Sequence, residues 1–504
     1  MRDRRASNAL SVRIIAIACA VLGVVAASRV DLPARQGGPP DLALFLQARS
    51  QNDREASQAL KQIAAVWKDS YASMIYDMAR LIRGPRGSST DLDADHAAPF
   101  DESETLGGVR RPTMGVILQE EPPVRARLLR FLGQQTGQRF RNDLAAWQRW
   151  IWTLPYDPHP AYARFKGLIY RSIDPAFENF FPPGVHSLIR LDEVDWGGVV
   201  VNGIPPLDHP KHIPAAEASY LGDGNVVFGI TVNGESRAYP KRILAWHEMA
   251  RDRVGGVELT VVYCTLCGTV IPYHSVIGGK LVRFGTSGLL YRSNKLMFDE
   301  DTRSLWSTLE GKPVLGPLVN SGLTLNPESV VTTTWREWKR EHPDTAVLSI
   351  DTGFRRNYSE GEAYRDYFAT DRLMFQVSRP DQRLKNKAEV VVLRPTSAEQ
   401  EVPVAISVDL LKRQPVFHFE AAGQNFVVVT TPAGANRVYR AGEHKFDKVV
   451  PEGIVVGRDG ERWRVTEEAL VSQSQPERRL ARQPAQRAFW FGWHAQFPST
   501  ILLK

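Results

Sequence analysis

Cysteine is nearly absent from this chain: 504 residues carry three. A disulfide framework of the kind that holds small secreted domains is therefore excluded, and any cysteine chemistry must be local. Charge of one sign is also in short supply. Lys and Arg total 63 against 56 Asp and Glu, a net of +7, and no basic stripe is interleaved with aromatics. That argues against nucleic acid as a partner. Several catalytic signatures are missing too. No Gly-x-Ser-x-Gly elbow occurs, and His247-Glu248 is followed by Met249, Ala250 and Arg251 rather than by a second histidine. Gly285-Thr286-Ser287-Gly288 lacks the Gly-Lys-Ser/Thr ending of a phosphate-binding loop.

What is there describes a globular chain. Hydrophobic residues make up 43% and charged residues 24%, and the length predicts about two to four domains. Residues 1–13 are basic, residues 14–27 form an uncharged apolar run, and Ala26-Ala27-Ser28 supplies small side chains. This is the layout of a secretory signal, with cleavage near Ser28. The run has about fourteen residues, short of the roughly 20 a spanning helix needs. An uncleaved membrane anchor with snorkelling arginines, or a lipoprotein signal ending at Cys19, are the other two readings. All three place the protein outside the cytoplasm, in the periplasm or cell envelope.

Residues 29–41, rich in Pro, Gly and charge, read as a linker. Leu60, Ile63, Ala64, Trp67, Tyr71 and Ile75 recur at helical spacing. Further helical patterning covers residues 124–134, 140–151 and 162–173. Residues 42–182 are therefore expected to form a helical domain, either a bundle or a helical-repeat unit. Its role is scaffolding or the recruitment of a protein partner.

Beyond Pro182-Pro183 the texture changes to short β-type runs: 198–201, 226–232, 259–263, 389–393, 426–430 and 453–456. Asn233-Gly234 between two such runs predicts a hairpin. Helices are expected at 240–251 and 334–341, and residues 475–487 read as a polar surface excursion. The fold class is thus α+β, a helical N-terminal domain followed by a larger β-rich domain at 183–504.

With Cys19 in the leader, the folded part holds Cys264 and Cys267 alone, in Tyr263-Cys264-Thr265-Leu266-Cys267-Gly268. β-Branched runs flank the pair on both sides. A redox motif of the thioredoxin type has its first cysteine at a helix N-terminus, and no helical period follows here. Strand, Cys-x-x-Cys-Gly, strand is instead the layout of a metal knuckle, with Gly supplying the positive φ. Additional ligands would come from His247, His274 or Met297. Two Cys, one His and Met suit copper; two Cys and two His, or two Cys, His and water, suit zinc. A disulfide between the two cysteines and a catalytic dithiol are the competing readings. Asp208, His209 and His212 have metal-ligand spacing but sit among prolines, where a turn is the simpler reading.

An ordered series of segments carries a family resemblance. Gly203-Ile204-Pro205-Pro206-Leu207-Asp208, Arg237-Ala238-Tyr239-Pro240, His247-Glu248 and the Cys264–Gly268 knuckle come first. Phe284-Gly285-Thr286-Ser287-Gly288, Ser304-Leu305-Trp306-Ser307, Thr334-Trp335-Arg336-Glu337-Trp338, His342-Pro343-Asp344-Thr345 and Phe489-Trp490-Phe491-Gly492-Trp493 follow. Together they resemble the bacterial domain of unknown function 3179 family, over about 60% of the chain. Thr265 departs from the pattern, which more often has Pro there, and so does Tyr273-His274, which sets His274 aside as a family ligand. The matching set is Cys264, Cys267, His247 and Met297. The resemblance implies an architecture and an envelope location, with no reaction or substrate attached.

Three functions are therefore carried forward. The first is an envelope protein holding one copper or zinc ion on Cys264, Cys267, His247 and Met297. The second is a non-catalytic binding or scaffold protein with a Cys264–Cys267 disulfide, and the third a thiol–disulfide oxidoreductase. A small-molecule substrate is left unnamed, and the membrane is a partner if the leader is retained.

Overall fold

The helical stretch starts where the sequence provides caps. In the computed structural model, which describes residues 38–82, 122–397 and 400–504, Asp41, Asn52 and Asp143 each accept a backbone N–H at a helix start. Those helices are Leu42–Gln47, Asp53–Ala65 and Leu144–Thr153. Ala72–Leu81, Pro122–Thr136 and Tyr162–Tyr170 complete the set. The leader at residues 1–28 and the first part of the linker lie outside the described residues. Among the described residues, no helix is long and apolar enough to cross a membrane.

Of the expected apolar stripe, Leu60, Ile63, Tyr71 and Ile75 are buried, and Ala64 and Trp67 are half-buried against them. Ile63, Met74, Ile75, Leu128, Trp147 and Phe165 form one cluster, and it continues into Leu296, Phe298, Leu305 and Leu315 of a five-stranded antiparallel sheet. At its centre Lys166, fully buried, pairs with Asp77 at 3.0 Å, and Tyr162 donates to the same carboxylate at 2.7 Å. An ion pair removed from water must be satisfied this completely to be tolerated.

The remaining chain is mostly sheet, so the α+β class holds. Asn233 and Gly234 take φ of 50° and 81° and join Val226–Val232 to Glu235–Pro240, as the dipeptide predicts. Met249–Val254, Val257–Cys264 and Thr269–His274 form consecutive antiparallel strands. A four-stranded sheet gathers Gln486–Phe489, Glu389–Leu393, Val404–Ser407 and Ile501–Leu503. Eight strands between Val416 and Gln483 make the largest sheet, running from Val416–Ala421 at one edge to Phe446–Val450 at the other. The imidazole of His418 links the two edges, its Nε2 accepting the Phe446 N–H at 2.9 Å. The sheet is thereby nearly closed into a barrel.

Three local expectations are corrected. Residues 198–201 form a turn, because Gly203 N–H closes back on the Val200 carbonyl at 2.8 Å and a Cβ at 203 would collide with that oxygen. The helix expected at 240–251 stops at His247, since Glu248 adopts φ 54° and sends the chain into a strand. Residues 475–487 are no excursion: Arg479–Gln483 and Gln486–Phe489 pair into two different sheets.

Candidate functional site

His247 ends the helix Lys241–His247 and is wholly buried. Its Nδ1 lies 2.9 Å from the Pro205 carbonyl oxygen and its Nε2 lies 2.5 Å from the Tyr358 hydroxyl. A carbonyl only accepts, so Nδ1 carries the proton and Nε2 accepts from Tyr358. Burial pushes the imidazole pKa down to about 4. The ring is neutral, and an oxygen partner occupies each nitrogen.

The predicted knuckle is present. Cys264 closes the strand Val257–Cys264 opposite Thr269, and Gly268 takes φ 62°. Cys264 and Cys267 are joined in a disulfide, with Cα atoms 5.5 Å apart. Both are buried, at 1% and 0% exposure. Leu266, Leu290, Tyr367, Phe375 and Phe491 surround them. The Phe489 N–H donates to the Cys267 carbonyl at 2.8 Å, and the Tyr367 hydroxyl donates to the Leu266 carbonyl at 2.7 Å. Gly492 is pressed against the pair: a Cβ there would lie 2.7 Å from Cys267 Cβ and 2.9 Å from Asn294 Oδ1.

Met297 is also fully buried, but it packs with Met249, Val262, Phe284 and Trp306, a cluster distinct from the one around the cysteines. His274 is half-buried and meets Glu328 at 3.2 Å. Asp208 pairs with Arg251 and Arg283, while His212 lies 3.1 Å from Asp252, so Asp208 and His212 serve different partners. The structure thus brings together Cys264 and Cys267 by their own bond. It gives His247 and Met297 other neighbours.

No motif signalled what lies beside the knuckle. Glu248, held at positive φ, buries its carboxylate against Lys295 at 3.0 Å, and Tyr364 donates to the other carboxylate oxygen at 3.3 Å. Burial pushes the Lys295 ammonium pKa down, against the pull of Glu248. Tyr364 also packs against the cysteine cluster. It belongs to residues 349–388, a strap with no strand and a single short helix, Arg365–Phe368. Three strap tyrosines, 358, 364 and 367, reach His247, Glu248 and Leu266 in turn.

A second polar centre lies at the C-terminal end of the helix Trp335–Glu341. Among the described residues, Glu341, His342 and Glu467 are the acidic and histidine side chains able to present three ligand atoms within 4.8 Å of one another. A cation already serves them: Arg437 Nη2 sits 2.7 Å from Glu341 and 2.6 Å from Glu467. Burial would raise the Glu467 pKa, yet Arg437 and Arg482 outweigh it and hold the carboxyl well below the usual range. A divalent ion would have to displace a buried guanidinium, so this donor set is a poor metal site. The cluster borders a cleft of about 1710 Å³ that is also lined by Val416, Val429, Val449 and Val465 of the eight-stranded sheet.

Comparison with curated proteins and with solved structures finds no match. Residues 201–500 match the model of the family described as Protein of unknown function (DUF3179). That span takes in the hairpin, the knuckle, the strap and the eight-stranded sheet, so this chain belongs to the DUF3179 family.

Proposed function

We propose that this chain is a non-catalytic binding protein of the cell envelope, cross-linked at Cys264–Cys267, with the cleft of the eight-stranded sheet as its ligand surface. One observation carries the reading: the two sulfurs are bonded to each other inside an apolar cluster and sealed from solvent. A catalytic dithiol needs an accessible, activated sulfur. One copper or zinc ion on Cys264, Cys267, His247 and Met297 needs both sulfurs free, and needs His247 to give up Pro205 or Tyr358. A stable disulfide suits an oxidising compartment, in line with the apolar leader. The cleft combines valines with polar and charged side chains, and apolar lining with a few polar groups is usual for a small-ligand site.

The test uses protein purified from its native envelope without reductant. Peptide mapping is expected to recover Cys264 and Cys267 linked, and elemental analysis to find no stoichiometric copper or zinc. One metal ion per chain together with two alkylatable thiols at these positions overturns the proposal. Ligand that co-purifies is expected to protect residues 446–479 from hydrogen exchange. Protection confined to the strap would move the site to the knuckle.

A further inference from the structure

Arg242, on the helix Lys241–His247, is anchored by uncharged acceptors. Its Nε donates to the Tyr358 carbonyl, and its Nη1 donates to the Tyr220 carbonyl at 2.8 Å and to Asn225 Oδ1 at 3.3 Å. The guanidinium is thus fixed in place without a carboxylate partner among the described residues. It lines a cleft of about 430 Å³ together with Arg355 and Arg356 of the strap. Arg355 is exposed, and its side chain has no acceptor among the described residues. Arg356 gives Nη1 to the Arg355 carbonyl at 2.8 Å. Among the described residues no Asp or Glu lines the cleft, whereas Ile350, 39% exposed, and Phe354 add apolar surface to it. Asp351 and Glu360, acids close by in sequence, stay outside the lining, and Asp351 pairs with Lys211 at 3.3 Å.

The loop that carries these residues has neither strand nor helix between 349 and 360, yet it is pinned. Trp246 Nε1 donates to the Asn357 carbonyl at 2.9 Å, Thr352 Oγ1 lies 2.6 Å from the Tyr358 hydroxyl, and the Phe354 and His247 rings lie 5.1 Å apart. A loop ordered in advance loses less entropy when a ligand arrives. Three guanidinium groups on one cleft repel one another, and an anion relieves that repulsion. The planar fork of Arg matches the oxygens of a carboxylate or a phosphate. The volume also falls within the range of about 300–1,000 Å³ usual for small-molecule sites. We propose that this cleft binds a small organic oxyanion, a carboxylate or phosphate group carried on an apolar body. Arg242 and Arg355 hold the head group, and Ile350 and Phe354 contact the body. The cleft shares no lining residue with that of the eight-stranded sheet, so this site goes beyond the binding reading and stands apart from it.

The experiment titrates the full chain with phenyl phosphate and with benzoate at low salt, by calorimetry. One of the two is expected to bind with a Kd of about 1 mM or tighter, and the tighter one identifies the head group. Its counterpart without the ring, inorganic phosphate or acetate, is expected to bind more weakly. Arg355→Gln removes an exposed side chain and is expected to weaken binding about tenfold. Arg242→Gln is expected to weaken it further, but it also loses the bonds to Tyr358 and Tyr220. If that variant does not fold, as judged by circular dichroism, Arg355→Gln decides alone. Hydrogen exchange with the bound probe is expected to slow at residues 350–359. Binding that is absent or weaker than about 1 mM, or a loss below about threefold in Arg355→Gln, overturns the proposal. So does equal affinity for the ion without the ring, or slowing at 446–479 in place of 350–359. That last result leaves the cleft of the eight-stranded sheet as the ligand surface, whereas slowing at 350–359 bears on this site alone.

Discussion

The phenol of Tyr358 lies 2.5 Å from Nε2 of His247, reaching across 111 residues of sequence. With Pro205 on the other nitrogen, this contact turns a candidate metal ligand into a buried, neutral, doubly bonded imidazole. Stability should therefore depend on pH in a definite direction. The unfolded imidazole titrates near 6.5, the folded one at about 4, so the unfolded state binds more protons between those values. The contribution of His247 is complete above pH 6.5 and is lost as the pH falls toward 4, by roughly 3 kcal/mol in total. Urea titrations at pH 7, 5.5 and 4.5 should show this loss, and a His247→Gln variant should show less of it. Tyr358→Phe leaves Nε2 without a donor and should cost about 1–3 kcal/mol at pH 7.

Cutting the cross-link should be mild. The loop closed by Cys264 and Cys267 is short, and loop-closure entropy assigns such a bond about 2 kcal/mol. A Cys264→Ser, Cys267→Ser double variant is expected to fold, with its denaturation midpoint lowered accordingly and its m-value unchanged. A collapse of the fold on this substitution would show that the knuckle nucleates far more than its loop length suggests.

The pair of Glu248 and Lys295 should behave as a unit. Lys295→Met strands a buried carboxylate and Glu248→Gln a buried ammonium, and each should destabilise by about 3–5 kcal/mol. The double variant removes both charges and should recover most of that loss. A double-mutant cycle in chemical denaturation reads the coupling directly, and additive losses would contradict it.

Gly492→Ala probes the contact between the C-terminal helix Trp490–Gln496 and the knuckle. The new methyl would meet Cys267 Cβ at 2.7 Å, an overpacking that should cost about 1–3 kcal/mol. Gly224→Ala, where an added Cβ meets nothing within 4 Å, serves as the comparison. A large loss there would mean that the cost at 492 reflects backbone flexibility rather than crowding.

Much of the local architecture follows from adjacent residues. Asn233-Gly234 sets a hairpin because only such residues accept two successive positive φ values, and Thr334 caps the helix Trp335–Glu341. The alternation of β-branched residues around Cys264 and the Gly at 268 set a strand, a tight turn and a strand. Family membership was legible as well, because an ordered series of short motifs survives without knowledge of the fold.

Which chemistry the motif residues perform was decided elsewhere. One sequence feature, Cys-x-x-Cys-Gly, is compatible with a metal, a dithiol or a disulfide, since spacing constrains where two sulfurs sit and not what a third group does. The third groups arrive from far along the chain. Pro205 and Tyr358 come from 42 and 111 residues away to occupy His247, Lys295 from 47 residues away to neutralise Glu248, and Gly492 to leave Cys267 its room. Hydrogen bonding and burial are properties of whatever the folded chain brings into contact. The sequence by itself settled the turn, the strands and the location of the cysteines. Tertiary packing settled that those cysteines are joined to each other among apolar side chains.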